Sequence, residues 1–173
     1  MDWLLAGTVS ASVFGPMLVE ARLAARNERA QLARGGIEPP GDVYTIMRFA
    51  YPAAFLAMIA EGAGRGSPSA LPLAAGAALF VAAKALKWWA IQSLGPFWTF
   101  RVIVVPGATL IESGPYRFLR HPNYAAVVGE LIAVALMTGA RVAGPLAVFG
   151  FGLLILRRIT VERRALDAML RYS

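Results

Sequence analysis

Cysteine is absent from the 173-residue chain, and histidine occurs once, at His121. The first absence excludes a disulfide framework, a thiolate metal site and a cysteine nucleophile; the second excludes a multi-histidine metal centre, so no metal is expected. Charge is also scarce. Only 16% of the residues are charged and 58% are apolar, against about 25% and roughly 45–50% in an average soluble domain. The mean hydropathy is +0.59. Such a chain is too apolar to be disordered. It also has too little polar surface to cover a soluble globule of its size. There is no internal repeat, no low-complexity tract and no second domain, so residues 1–173 read as one unit.

The net charge of +7 does not point to nucleic acid. The arginines sit in short clusters between apolar runs, where membrane topology signals sit. Five runs read as membrane-spanning helices: Trp3 to Val19 (extended to about Arg22), Val43 to Ala60, Leu71 to about Gln92, Asn123 to Ala140, and Val142 to Leu156. Asp2 ahead of the first argues against a basic signal-peptide start. The fifth is the short one, with Arg157 and Arg158 placed to snorkel. The expected fold is therefore all-α, a polytopic integral membrane protein of about five transmembrane helices. Twelve of the seventeen basic residues fall on one side of these spans, and only Arg65 and Arg141 on the other. This asymmetry puts the N-terminus outside and the C-terminus in the cytoplasm, across a bacterial inner membrane.

The longest stretch between spans runs from Ser93 to His121. Its Arg101–Val105 portion is β-prone but isolated, and reads as extended loop. The stretch ends in Gly114-Pro115-Tyr116-Arg117, then Arg120-His121-Pro122-Asn123-Tyr124. Pro122 suits the first turn of a helix, and the free N–H groups of that turn favour an anion. His121 and Tyr124 share a helix face. A tight hairpin around Gly139-Ala140-Arg141 folds the fifth span back on the fourth, bringing Arg158 and Glu162, an i, i+4 pair, towards the same cytoplasmic pocket. A carboxylate for an ammonium, helix N–H groups and arginines for a carboxylate, and tyrosines around an aromatic base together permit a zwitterionic nucleoside such as S-adenosylmethionine.

At these residues the sequence resembles the isoprenylcysteine carboxyl methyltransferase family. The shared signature is Gly-Pro-Tyr-Arg, then Arg-His-Pro-x-Tyr, a hairpin of two spans, and an acidic motif. Here these are Gly114–Arg117, Arg120–Tyr124 and Arg158-Ile-Thr-Val-Glu162. Where the family has two adjacent glutamates, this chain has Glu162-Arg163. The resemblance implies a methyltransferase with its cofactor-binding core at about 93–173. S-adenosylmethionine would be held by Gly114, Tyr116, Arg120, His121, Pro122, Tyr124, Arg158 and Glu162. Trp98-Thr-Phe-Arg101-Val-Ile-Val-Val-Pro106-Gly107, Arg26-Asn27-Glu28 and Gly35-Gly36-Ile37-Glu38 look like a bacterial branch that O-methylates alkylresorcinols or alkylpyrones. That branch implies a lipophilic phenol or enol as acceptor and a polyketide synthase as functional partner. Arg101 and Arg117 would then stabilise the acceptor oxyanion. A prenylated or lipidic carboxylate is the alternative acceptor. A non-catalytic scaffold, or a transporter using Glu130, Arg48 and the lysines, is the alternative from another class.

Two residues are assigned to the substrate on weaker grounds. Trp98 lies beside the loop, as substrate wall or interfacial anchor. Glu130 falls on the order of 12 Å beyond Pro122 along a helix. An acid at that depth is either functional or paired with Lys84, Lys87 or Arg48. Lys84 and Lys87, three residues apart, are expected to reach the membrane interface. The Arg26–Arg29 segment is expected to be a solvated helix extension. Small residues between Leu73 and Ala85 permit close helix packing.

Overall fold

The computed structural model describes residues 1–108 and 111–170, without the side chains of residues 166 and 168–170. It is all-helical: α1 (Trp3–Ala33), α2 (Tyr44–Arg65), α3 (Ala70–Leu94), α4 (Pro122–Thr138) and α5 (Ala143–Leu170), with short 3-10 turns at Gly95–Phe97 and Gly114–Arg117. Among the described residues, four helices are long and apolar enough to cross a membrane, and α4 is a shorter apolar helix. The protein is thus a polytopic membrane bundle. The Arg101–Val105 stretch is extended, as expected. It makes one antiparallel rung, in which Ile37 and Val104 exchange N–H to carbonyl bonds of 2.9 and 3.0 Å.

Two boundaries correct the sequence reading. The short span is α4, with 17 residues, while α5 runs for 28. Arg157 and Arg158 do not end α5, because no glycine or proline follows to stop the helix and Arg158 is buried among partners rather than snorkelling. Likewise α1 continues eleven residues beyond Arg22 to Ala33. This extension is not simply solvated: Asn27 and Gln31 are buried. The Asn27 amide donates to the carbonyls of Gly95 and Trp98, and the Gln31 amide to that of Pro96. The extension therefore carries the 95–98 turn.

The starts of α1 and α5 are closed by side chains that take up otherwise free terminal N–H groups. Asp2 accepts from Leu5 N at 2.7 Å. Glu61, at the end of α2, accepts from the backbone N–H groups of Arg141, Val142 and Ala143 and so caps α5 from another helix. The N-terminal amine donates to Gly62 O at 3.0 Å. The chain start, the α2–α3 turn and the α4–α5 turn therefore lie at one end of the bundle.

Phe55, Met58, Leu131, Val134, Phe151 and Ile155 build the apolar core. Close approach of α3 to α4 depends on glycine. A Cβ on Gly76 would fall 2.7 Å from the carbonyl oxygen of Ala133.

Inside this core sits a charge cluster. Lys87 Nζ lies 2.7 Å from Glu130 and 3.3 Å from Glu20, and Lys84 Nζ lies 2.9 Å from Glu20 and 3.2 Å from Glu130. The Tyr51 hydroxyl donates to Glu130 at 2.6 Å. Both lysines therefore turn inward, contrary to the expectation that they reach the interface, because two carboxylates await them in the core. Glu130 is accounted for as an ion-pair partner. The formal charges cancel, which is what makes burial in lipid tolerable.

Removing one member leaves an uncompensated charge. Glu130→Gln is expected to lower stability by about 3–5 kcal/mol. Combining it with Lys87→Met should cost less than the two single changes summed. Unfolding by titration with sodium dodecyl sulfate, followed by circular dichroism, measures both; additive losses would contradict the coupling.

Candidate functional site

The end of the bundle opposite Glu61 is built from the α1–α2 connection, the 95–121 segment and the C-terminal part of α5. Its foundation is the Gly114–Arg117 turn. Gly114 has φ +60°, and a Cβ there would fall 2.0 Å from Ser93 Oγ and 3.1 Å from Trp89 Nε1. Only glycine lets this turn lie flat on α3. The turn buries Pro115 and leaves Tyr116 half-buried. Burial, with the negative field of Glu162, pushes the Tyr116 phenol well above its usual range, so it stays a neutral hydrogen-bond donor.

α4 starts immediately after the loop. The His121 carbonyl accepts from the N–H groups of Tyr124 and Ala125, and the imidazole stacks on the Tyr124 ring with centroids 5.5 Å apart. Both face α5. The Tyr124 hydroxyl donates to Glu162 Oε1, and His121 Nδ1 lies 3.6 Å from Glu162 Oε2. Arg158, one turn earlier on α5, places Nε 3.5 Å from the same carboxylate. One carboxylate is thus shared by residues of two motifs nearly forty positions apart, and the α4–α5 hairpin is the reason they meet.

A strap closes over Arg158 from the side. Its guanidinium donates to the carbonyl oxygen of Phe100 and lies 3.6 Å from Asp42. Asp42 also accepts from Val102 N at 3.0 Å. Glu28, on the α1 extension, accepts from the N–H groups of Phe100 and Arg101. The Arg101 guanidinium grips both oxygens of Glu38 at 2.9 Å and lies over the Tyr44 ring. Glu38 holds its pKa above the usual arginine value. Residues 28–42 and 98–104 are therefore tied together by three acids.

The site residues expected from the sequence separate into two groups. His121, Pro122, Tyr124, Arg158 and Glu162 come together, with Tyr116 close enough for Glu162 to act on its phenol. Arg101 belongs to the strap. Arg117 and Arg120 are exposed at the surface, with Arg117 over the Phe118 ring. Trp98 is 2% exposed and packs with Ala24, Ile91 and Phe100, so it is neither surface anchor nor wall of this site. Glu130 lies about two turns down α4, in the ion cluster. Sequence reasoning missed Asp42, Glu28 and Glu38 as structural partners. Their signal was three acids in an otherwise arginine-rich segment.

Two buried polar atoms here have no hydrogen-bond partner: Asn123 Oδ1, and Arg158 Nε, whose one contact is the 3.5 Å ion pair with Glu162. The first is an acceptor in the first turn of α4 and the second a donor on α5. A buried acceptor left open, as at Asn123, fits a bound polar molecule.

The isoprenylcysteine carboxyl methyltransferase family model matches residues 76–168. A Bacillus subtilis protein described as "Uncharacterized protein YpbQ" is 32% identical over 168 residues, covering 96% of this chain and 97% of that protein. A Haemophilus influenzae protein described as "Uncharacterized protein" is 26% identical over 143 residues, covering 82% of this chain and 83% of its own length. No solved structure matches significantly.

If Arg101 serves the strap, Arg101→Gln should speed backbone amide exchange across 34–42 and 98–104 about fivefold, the loss of roughly 1 kcal/mol expected for a half-exposed bidentate pair. Exchange in α4 should stay unchanged. Mass-detected hydrogen exchange reads this directly, and unaltered exchange in the strap would refute it.

Proposed function

The chain belongs to the isoprenylcysteine carboxyl methyltransferase family, and from that premise we propose that it is an integral membrane O-methyltransferase. It uses S-adenosylmethionine and acts on a lipophilic phenol or enol of polyketide type, with its site on the cytoplasmic side of a bacterial inner membrane. The observation that carries this reading is the convergence of His121 and Tyr124 from α4 with Arg158 and Glu162 from α5.

The residues present fit the cofactor. Glu162 is suited to receive an ammonium. Arg158, whose Nε makes no hydrogen bond beyond its ion pair with Glu162, and the first-turn N–H groups of α4 are suited to a carboxylate. Asn123 Oδ1 is an open acceptor for a hydroxyl or amine. Tyr116, Tyr124, His121 and Pro122 offer aromatic and apolar walls, and Gly114 sets the turn that presents Tyr116. Bound there, S-adenosylmethionine supplies an electrophilic methyl group. The protein's task is to orient the acceptor oxygen and exclude water, because displacement at a methyl carbon depends on alignment. A phenol also needs its charge developed, its ordinary pKa being about 10. Exposed Arg117 and Arg120 flank the loop and can supply the positive field, whereas Arg101 is held by Glu38.

A groove of about 320 Å³ between α2 and α5 supports a lipophilic acceptor. Ala50, Ala54, Ala147, Gly150, Phe151 and Leu154 line it. Leu154 lies one turn below Arg158 on α5, and Ala50 one turn from Met47, whose sulfur contacts the Arg158 guanidinium. An acyl tail lying in this groove would bring its head group to the site.

Isothermal titration of the detergent-solubilised protein with S-adenosylmethionine should show binding, and Glu162→Gln should weaken it at least about tenfold, the loss of a charge-assisted bond. Absence of binding by the natural chain would overturn the enzyme reading. With binding established, Gly150→Trp should raise KM for a long-chain resorcinol about tenfold and leave cofactor affinity alone. Unchanged KM would sink the groove assignment while leaving the cofactor site standing. Mass spectrometry of a short-chain resorcinol and a prenylcysteine offered in parallel decides the acceptor class.

A further inference from the structure

The far end of the bundle, around Glu61, carries a second concavity. It encloses about 750 Å³ between the α2–α3 turn, the first turn of α3 and the α4–α5 hairpin. Its mouth is polar, formed by Arg65, Ser67, Ser69 and Arg141, and its floor is apolar, formed by Ile132, Leu136 and Val148. Ile132 is 37% exposed and Leu136 36%, so the floor opens sideways where hydrocarbon would be. The cavity is thus amphipathic in one direction, charged at the helix ends and apolar along the helix flanks.

The mouth residues are brought together by one carboxylate. Glu61 accepts from the N–H groups of Arg141, Val142 and Ala143 and pairs with Arg65 Nε at 2.8 Å. Its oxygens are thereby engaged, and both Arg65 and Arg141 remain exposed. These two arginines are the only basic residues in the turns at this end, and both line the same hollow. No acidic residue lines it among the described residues.

We propose that this cavity binds one anionic phospholipid, with its phosphate between Arg65 and Arg141 and one acyl chain along Ile132, Leu136 and Val148. Guanidinium forks match phosphate oxygens, and Ser67 and Ser69 add hydroxyl donors. A zwitterionic head group would bring an ammonium or choline to a mouth lined by two arginines, with the neighbouring carboxylates turned to other work, Glu61 on the α5 N–H groups and on Arg65, and Asp2 on Leu5 N, so charge complementarity selects an anionic lipid. The site is independent of the proposed chemistry at the other end of the bundle.

The test uses the full chain, delipidated in mild detergent and offered phosphatidylglycerol or phosphatidylcholine at equal concentration. Native mass spectrometry should show one phosphatidylglycerol retained per chain, at least fivefold more than phosphatidylcholine, with a matching rise in Tm. Arg141→Ala should reduce that preference about fivefold, and Arg141→Lys should restore part of it. Ile132→Trp should remove retention of both lipids; should that variant misfold by circular dichroism, Val148→Trp narrows the same floor. Equal retention of the two lipids, or retention indifferent to Arg141→Ala, would overturn the proposal. So would a dimer by light scattering that Ile132→Trp converts to a monomer, since the hollow would then belong to a second copy of the chain.

Discussion

Four ionised groups in the middle of an apolar bundle constrain everything around them. Glu20, Lys84, Lys87 and Glu130 come from three helices, and Tyr51 adds a fourth. Sliding any one of these helices by a residue would strand a charge in hydrocarbon, at a cost of several kcal/mol. The apolar contacts are far less discriminating, because alanine, leucine and valine pack acceptably in several registers. The cluster therefore acts as the registration mark of the bundle. It sets the height of α4 relative to α3, and so the height at which His121 and Tyr124 emerge.

From that fixed height the site is assembled by two devices of different kinds. The α4–α5 hairpin is covalent and short, and it brings Arg158 and Glu162 opposite the start of α4. The strap is non-covalent, made of carboxylates from α1 and its connection to α2 gripping backbone N–H groups at 100–102. Asp42 stands in both, since it accepts from the strap and faces Arg158. The arginine at the centre of the site is thus shared between the hairpin and the strap, with Glu162 on one flank and Asp42 on the other. Glu162 is followed by Arg163 and not by a second acid, and the acidic balance around Arg158 is supplied partly from outside the hairpin, by Asp42.

Composition made the spans legible, because long charge-free runs have few other homes. The hairpin was legible too, from Gly139 and the proline that follows it. Helix length was less so: Arg157 and Arg158 look like a boundary in one dimension, and only the packing reveals that Arg158 turns inward. The lysines of α3 were misread for a related reason. Snorkelling is the default for a lysine near a span end, and nothing local in the sequence announces that Glu20, 64 residues before Lys84 and 67 before Lys87, and Glu130, far beyond both, will meet them. The strap was invisible because two of its three acids, Glu28 and Asp42, act on backbone N–H groups, which leave no signature at the receiving positions. Trp98 illustrates the converse, since an aromatic beside an interfacial loop is usually an anchor and here is interior filling held by Asn27.

The strap also bears on how this architecture can be taken apart. The family-matched portion begins at residue 76, yet Glu28, Glu38 and Asp42 precede it. Chimeras that exchange only the C-terminal module between relatives would carry the 98–104 backbone into a host whose first connection was never matched to it. The natural unit of exchange is therefore discontinuous: the α1–α2 corner must travel with the segment it clasps, and drift in either piece is answerable to the other.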